Sequence, residues 1–220
     1  AAMRNYQCLV LDHDDTVVCS NKTINYPSMQ EVLQLMRPGR TITFEAFMLG
    51  CFRKTFSCYC TEDLSFTEEE QEKQFEMWKQ YVATHIPPAY QGMAQLLRRF
   101  RAEGGKICVS SHSSPQNISR DYRVHFGFQP DMIFGWELGE DKRKPAPYAL
   151  LRIMEEYDLR PEQLLMVDDM RSGYAMAHAC GVPFACAGWA HEFPEMIAGM
   201  KETNAPYLKT VDELSRLVFA

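Results

Sequence analysis

Long hydrophobic runs are missing from this chain. No apolar stretch among its 220 residues approaches the ~20 residues needed to cross a bilayer, and no signal-peptide pattern opens it. Neither a membrane partner nor export is expected. Positive charge is also scarce. Lys and Arg number 23 against 29 Asp and Glu, a formal net charge of −6, which argues against a nucleic-acid surface though not against a small basic pocket. Zinc-site spacing is absent too. The cysteines stand at 8, 19, 51, 58, 60, 108, 180 and 186, and Cys58-Tyr59-Cys60 with Cys51 does not match a metal motif. Cys8, Cys108 and Cys186 fall in apolar strand-like runs, where a free thiol acts as a small hydrophobe. That use, without an export signal, fits a reducing, cytoplasmic compartment. There is no internal repeat and no low-complexity tract. Ala1-Ala2 ahead of Met3 reads as an added dipeptide. Monomer and dimer both remain open.

What is present starts with Cys8-Leu9-Val10-Leu11-Asp12-His13-Asp14-Asp15-Thr16. Four apolar residues without polar alternation predict a strand covered on both faces, as in a parallel sheet. Ligands of open α/β sheets bind beyond the carboxyl ends of their strands, so Asp12 and Asp14 would emerge where such folds do chemistry. Two carboxylates this close stay ionised only with a cation between them, and hard oxygen ligands suit Mg²⁺. By itself the pair is equally a solvated acidic turn.

Residues 19–26 read as a polar turn. Three helical patterns follow without a strand. The first runs over 27–37 with Met29, Val32, Leu33 and Met36 on one face. The second opens at Thr43 and carries Phe44, Phe47, Met48, Cys51, Phe52 and Phe56. The third starts at Thr67, with Glu70 placed for a capping box and Phe75, Trp78, Val82 and Ile86 as its buried face. After Pro87-Pro88, helices alternate with strands at 107–109, 132–134, 164–167 and 184–187, which predicts a parallel sheet. The expected architecture is α/β: a Rossmann-like core of residues 1–18 and 87–220 with an inserted all-α domain, 19–86.

Polar groups end three of these strands, and a loop adds a lysine: Asp12 and Asp14, Ser111, Lys144, then Asp168-Asp169. Carboxylates from two strand ends can hold a hard cation, while a hydroxyl and an ammonium bind an anion's remaining oxygens, which is the equipment of phosphoryl transfer. In this order the motifs resemble the haloacid dehalogenase-like superfamily, closest to its phosphoglycolate phosphatase and β-phosphoglucomutase branch. Leu11 to Thr16 resembles the Asp-x-Asp-Gly-Thr motif. Lys106 to Ser111 resembles the hydrophobic strand ending in Ser or Thr. Lys144-Pro145-Ala146-Pro147 resembles Lys-Pro-x-Pro, and Val167-Asp168-Asp169 followed by Gly173 resembles the paired-acid motif. The insertion falls where the family places its cap.

The resemblance implies roles. Asp12 would be the nucleophile that forms a phosphoaspartate. Asp14 would act as general acid and base, and its backbone carbonyl would join Asp12, Asp168 and Asp169 around Mg²⁺. Ser111 and Lys144 would hold the phosphoryl group; Ser110 is the alternative to Ser111, with strand register favouring the latter. His112, where the family often has Asn, could contact substrate. Two positions depart from the pattern: Asp15 replaces the usual glycine, and His13 a usually apolar residue, read as packed rather than catalytic. Lys142 and Arg143 read as solvated. The expected activity is Mg²⁺-dependent hydrolysis of a small phosphorylated metabolite. A phosphomutase on the same core and a non-enzymatic phosphometabolite sensor are the alternatives. Dehalogenase chemistry is disfavoured because such relatives lack the acid at the position of Asp14. The Phe, Met and Cys of 43–56 suit an apolar leaving group, or helix packing, better than a sugar.

Overall fold

The computed structural model describes residues 4–220. Ala1-Ala2-Met3 lie outside the described residues, and with them the expectation of an added dipeptide and the first residues of the 1–18 segment. Among the described residues six strands form one sheet: β1 (Cys8–Leu11), β2 (Lys106–Ser110), β3 (Met132–Phe134), β4 (Leu164–Asp168), β5 (Phe184–Ala187) and β6 (Tyr207–Leu208). Their order is β3-β2-β1-β4-β5-β6, every neighbouring pair parallel. The strands lack polar alternation because both faces are covered. Leu9, Leu11, Ile107, Val109, Leu165 and Val167 meet α5 (Met93–Ala102), α6 (Pro115–Phe126) and α10 (Val211–Val218). Cys8, Val10, Cys108, Leu164 and Met166 face the opposite layer, with α7 (Tyr148–Tyr157), α8 (Arg171–Cys180) and α9 (Pro194–Lys201). Two residues are too few to show a pattern, so β6 was not expected.

Leu11 pairs with Val109 on one side and Val167 on the other. The chain therefore leaves β1 between the ends of β2 and β4, the crevice in which ligands of such sheets bind. Val18 and Ala89 then form an antiparallel bridge. Cys19 N–H donates to Pro88 O at 2.8 Å and Tyr90 N–H to Val17 O at 3.1 Å, so the outgoing and returning segments run side by side.

Between them lie α1 (Tyr26–Met36), α2 (Phe44–Arg53), α3 (Phe56–Cys58) and α4 (Glu68–Thr84), with no strand. Thr43 caps α2 through Ala46 N–H, and Thr67 with Glu70 forms the capping box that opens α4. Three local readings need correction. Residues 21–25 are a wide helical turn running into α1, because Ile24 is buried and the Thr23 and Asn25 side chains bond one turn back, at 2.7 and 2.8 Å. Phe56 does not continue α2. It starts α3 behind the Thr55 cap and is exposed. The face α4 turns inward carries Gln74 and Val82, whereas Phe75 and Ile86 are exposed by 38% and 48%.

Candidate active site

One residue past β1, Asp12 N–H donates to Val167 O at 2.9 Å, extending the ladder and aiming the side chain at the end of β4. The chain then turns tightly. The amides of Thr16, Val17 and Val18 all point at His13 O, and Asp15 takes a left-handed φ of +59°. This turn brings Thr16 Oγ1 back to Asp12 Oδ2, at 3.1 Å, and within 3.4 Å of Asp169 Oδ1. From the loop after β3, Lys144 Nζ donates to Asp12 Oδ1 at 3.0 Å and to Asp168 Oδ2 at 2.7 Å. Asp12, Asp168 and Asp169 each place a carboxylate oxygen within 4.8 Å of the others. Only glycine fits at 173, because a Cβ there would lie 2.2 Å from Asp168 Oδ2. The first turn of α8 thus closes directly onto the cluster.

The electrostatics follow from this packing. Burial pushes Asp12 up, but the Lys144 ammonium and the hydrogen bonds it receives outweigh that and hold it below the usual carboxylate range. Asp168 is pushed up to about 6 by burial and by the Asp12 charge, against the pull of Lys144. Asp169 is raised well above its ordinary value by burial, then by repulsion from Asp12 and Asp168. Burial would deprotonate Lys144, yet the two carboxylates it bridges hold its pKa above normal. One ammonium does not balance three buried acids. An all-oxygen donor set with surplus negative charge is what a hard divalent cation requires, so the residues fit such an ion.

The other expected site residues fall around this centre. Asp14 stands at the side of the cluster, half-buried, with Oδ1 accepting from Ser20 Oγ at 2.6 Å. Burial raises it, partly offset by His13 and the Ser20 hydroxyl. Ser110 and Ser111, at the end of β2, are both buried. Ser111 Oγ accepts from Ser113 N–H at 3.0 Å. His112 Nε2 is 3.1 Å from Lys144 O, and its ring lies on the cleft wall. His13 is packed, as read: 1% exposed, bonded to Asp121 at 2.8 Å and stacked near Tyr122. Arg143 lies over the Trp136 ring at 3.5 Å.

A cleft of about 1090 Å³ opens beside Asp14 and His112, walled by α4 and by Trp136. Phe47, Cys51 and Phe56 of the 43–56 stripe line it, although Phe47, Met48 and Phe52 are at most 5% exposed, so the stripe both packs the helices and backs the cleft. Phe75, Trp78 and the charged face of α4 complete the wall. Thr16, Ser20 and Trp78 are contributors that motif reading left without a role. Ser20 carries no sequence signal at all.

The chain matches the model of the haloacid dehalogenase-like hydrolases over residues 6–181. It is 27% identical over 117 residues to a phosphoglycolate phosphatase from Pseudomonas putida, across 51% of this chain and 41% of that protein. The curated relatives are thus matched over well under half of their length. Among solved structures, a phosphoglycolate phosphatase-like protein from Lactobacillus plantarum superposes with a TM-score of 0.79 at 21% identity, covering 97% of this chain and 99% of that one. A CbbY variant from Rhodobacter sphaeroides, solved with xylulose 1,5-bisphosphate, gives 0.72 at 16% identity over 95% and 96%. With its four motifs gathered at the carboxyl end of one parallel sheet and most of its length matched by the family model, this chain belongs to the haloacid dehalogenase-like hydrolases.

Proposed function

We propose that this protein is a Mg²⁺-dependent phosphatase of a small phosphorylated metabolite, with residues 19–86 as a cap over a core of 1–18 and 87–220. The reading is carried by one observation: three buried acids and Lys144 converge at the ends of β1 and β4. In this reading a carboxylate oxygen of Asp12 attacks phosphorus while the bond to the leaving oxygen breaks. Lys144 and Thr16 hold the two Asp12 oxygens from opposite sides, so the nucleophile is oriented before substrate arrives. Asp14, whose carboxyl burial raises above the usual range, acts as general acid and gives a proton to the leaving oxygen. It then takes one from the water that attacks the phosphoaspartate, releasing phosphate and restoring Asp12. Ser111 and Lys144 bind the phosphoryl oxygens, and His112 contacts substrate from the wall. Asp12, Asp168 and Asp169, with the Asp14 carbonyl, would hold Mg²⁺, which neutralises charge on the transferring group.

Beyond Asp14 the cleft wall presents Glu68, Glu69, Glu72 and Glu76 but only two lysines, and Lys79 is paired with Glu76 at 2.8 Å. The relatives' ligands, phosphoglycolate and xylulose bisphosphate, each carry a second anion, which this wall repels. A neutral or cationic leaving group with apolar surface suits Phe75, Trp78 and Trp136 better. Such a wall offers little for gripping a sugar in two orientations, so phosphate release is expected rather than isomerisation. The experiment is a panel of phosphomonoesters with sugar monophosphates included, with Mg²⁺ and with EDTA, following free phosphate and isomer together. Mg²⁺-dependent phosphate release supports the reading. Isomer forming faster than phosphate, or full activity in EDTA, overturns it.

A further inference from the structure

His13 and Asp15, the two departures in the first motif, are the points from which two hydrogen-bonded lines leave the catalytic loop. Both lines end on α4. Asp15 Oδ2 accepts from Asn21 Nδ2 at 2.8 Å, and its Oδ1 from the Asn21 amide at 3.1 Å. Asn21 Oδ1 accepts from Asn25 Nδ2 at 2.8 Å, and Asn25 Oδ1 from Trp78 Nε1 at 2.8 Å. The ends orient everything between them. An indole N–H can only donate and a carboxylate only accept, so each intervening amide has one way to lie. The second line runs from His13 Nε2 to Asp121 Oδ2, at 2.8 Å. Asp121 Oδ1 accepts from Arg120 Nη2 at 3.0 Å, and Arg120 donates onward to Val82 O and His85 O at the C-terminal end of α4. Val82 O also accepts from the His85 amide, at 3.4 Å, so Arg120 reinforces the C-cap of α4.

Trp78 lines the same cleft as Asp14. We infer that Trp78 is a specificity-determining residue, its ring held toward the leaving group by the Asn25–Asn21–Asp15 line, so that contact at the cleft wall is transmitted to the loop carrying Asp12 and Asp14. The inference rests on the phosphatase reading. A glycine at 15, the usual residue, has no acceptor and could not close the line. It would, however, take the left-handed backbone at no steric cost. The chain keeps an aspartate in a glycine conformation, and the use that the structure shows for its carboxylate is this line. The Arg120 line fixes the far end of the same helix, so α4 is tied to the loop at two heights.

The test uses Trp78→Phe, which keeps a ring and deletes the donor; Asn25→Leu, which keeps bulk and cuts the middle; and Asp15→Gly. One readout is the ratio of kcat/KM for phenyl phosphate, whose leaving group carries a ring, to that for acetyl phosphate, whose leaving group has none. The other is the indole ¹⁵N–¹H resonance of Trp78, identified by its loss in Trp78→Phe. Each variant is expected to lower the ratio about tenfold, roughly the worth of one buried hydrogen bond. The Trp78→Phe/Asp15→Gly double variant should fall no further than either alone, and Asp15→Gly and Asn25→Leu should each move the Trp78 resonance. An unchanged ratio with both substrates slowed alike would show a purely structural role. Losses that multiply in the double variant, or an unmoved resonance, would equally overturn the inference. The resonance reads the line even without turnover, so failure of the phosphatase reading and failure of this inference are separate results.

Discussion

Charge is handled in opposite ways on the two sides of the cleft. At the sheet end, Asp12, Asp168, Asp169 and Lys144 are all at most 7% exposed, each with fixed partners and most with a strongly shifted pKa. On α4, the glutamates stand in solvent, and the Lys79–Glu76 pair is about half exposed on both sides. Exposed pairs of this kind contribute about 0–1 kcal/mol, whereas breaking a buried pair costs about 3–5 kcal/mol because an uncompensated charge is left behind. The sheet end is therefore intolerant of change and suited to chemistry. The α4 wall can exchange its charges at little cost to the fold, which suits it to selection among substrates.

The contrast is broken most directly at Asp12. Asp12→Asn keeps the shape and removes the nucleophile, so turnover should fall by up to roughly 10⁶-fold while the fold stays intact. A variant retaining a tenth of the phosphate release would remove Asp12 from that role. Next comes Gly173→Ala. Its Cβ would meet Asp168 Oδ2 at 2.2 Å, and displacing an acid of the cluster by about an ångström should cost on the order of 10²-fold in kcat/KM. Wild-type kinetics in this variant would show that the cluster tolerates displacement.

A smaller effect is read as stability against pH in metal-free protein. Asp168 has a folded pKa of about 6, above its unfolded value near 3.9, so the folded state binds more protons between the two. Its contribution therefore becomes unfavourable as pH rises through that window and stays so above it. Between about pH 4 and about pH 7.5 the wild type should therefore lose melting temperature relative to Asp168→Asn, on top of the constant offset set by the lost Lys144 contact. A difference that is flat with pH, or that shifts in favour of the wild type as pH rises, would mean the carboxyl is not held up by its burial. The smallest effect lies on the helix wall. Glu72→Lys should raise kcat/KM for phosphoglycolate relative to phenyl phosphate by roughly two- to fivefold, the scale of one exposed charge, and leave the melting temperature within about 1 °C. A loss of stability several times larger would erase the contrast between the two walls.

The sheet end was largely legible in the sequence. Strands buried on both faces leave unbroken apolar runs, and the polar residue that ends each run is the one delivered to the crevice. That places Asp12 and Asp168 by position; Ser111 over Ser110, and Gly173, rest on the resemblance to the family's motifs, and the approach of Gly173 to Asp168 is visible only in the structure. The insertion was legible only in part. Capping boxes marked the start of α4, but which of its faces is buried depends on α1, and Phe75 was assigned inward although it faces out. The turn at 21–25 looked polar because its asparagines bond side chain to side chain along a helical turn. The Trp78–Asn25 hydrogen bond joins residues 53 apart, and no spacing rule announces it. Ser20 on Asp14 and Thr16 on Asp12 are visible only once the loop has been folded back.

The most direct measurement is the identity of the residue that carries phosphate during turnover. Protein mixed with its best substrate from the panel and Mg²⁺ is quenched in acid within one turnover, digested and mapped by mass spectrometry. The proposed chemistry places a phosphoryl group on the peptide containing Asp12, reducible by borohydride at that residue and absent from Asp12→Asn. Phosphate released at full rate with no phosphoryl group on Asp12 at any quench time, or with the group on a different side chain, would contradict it.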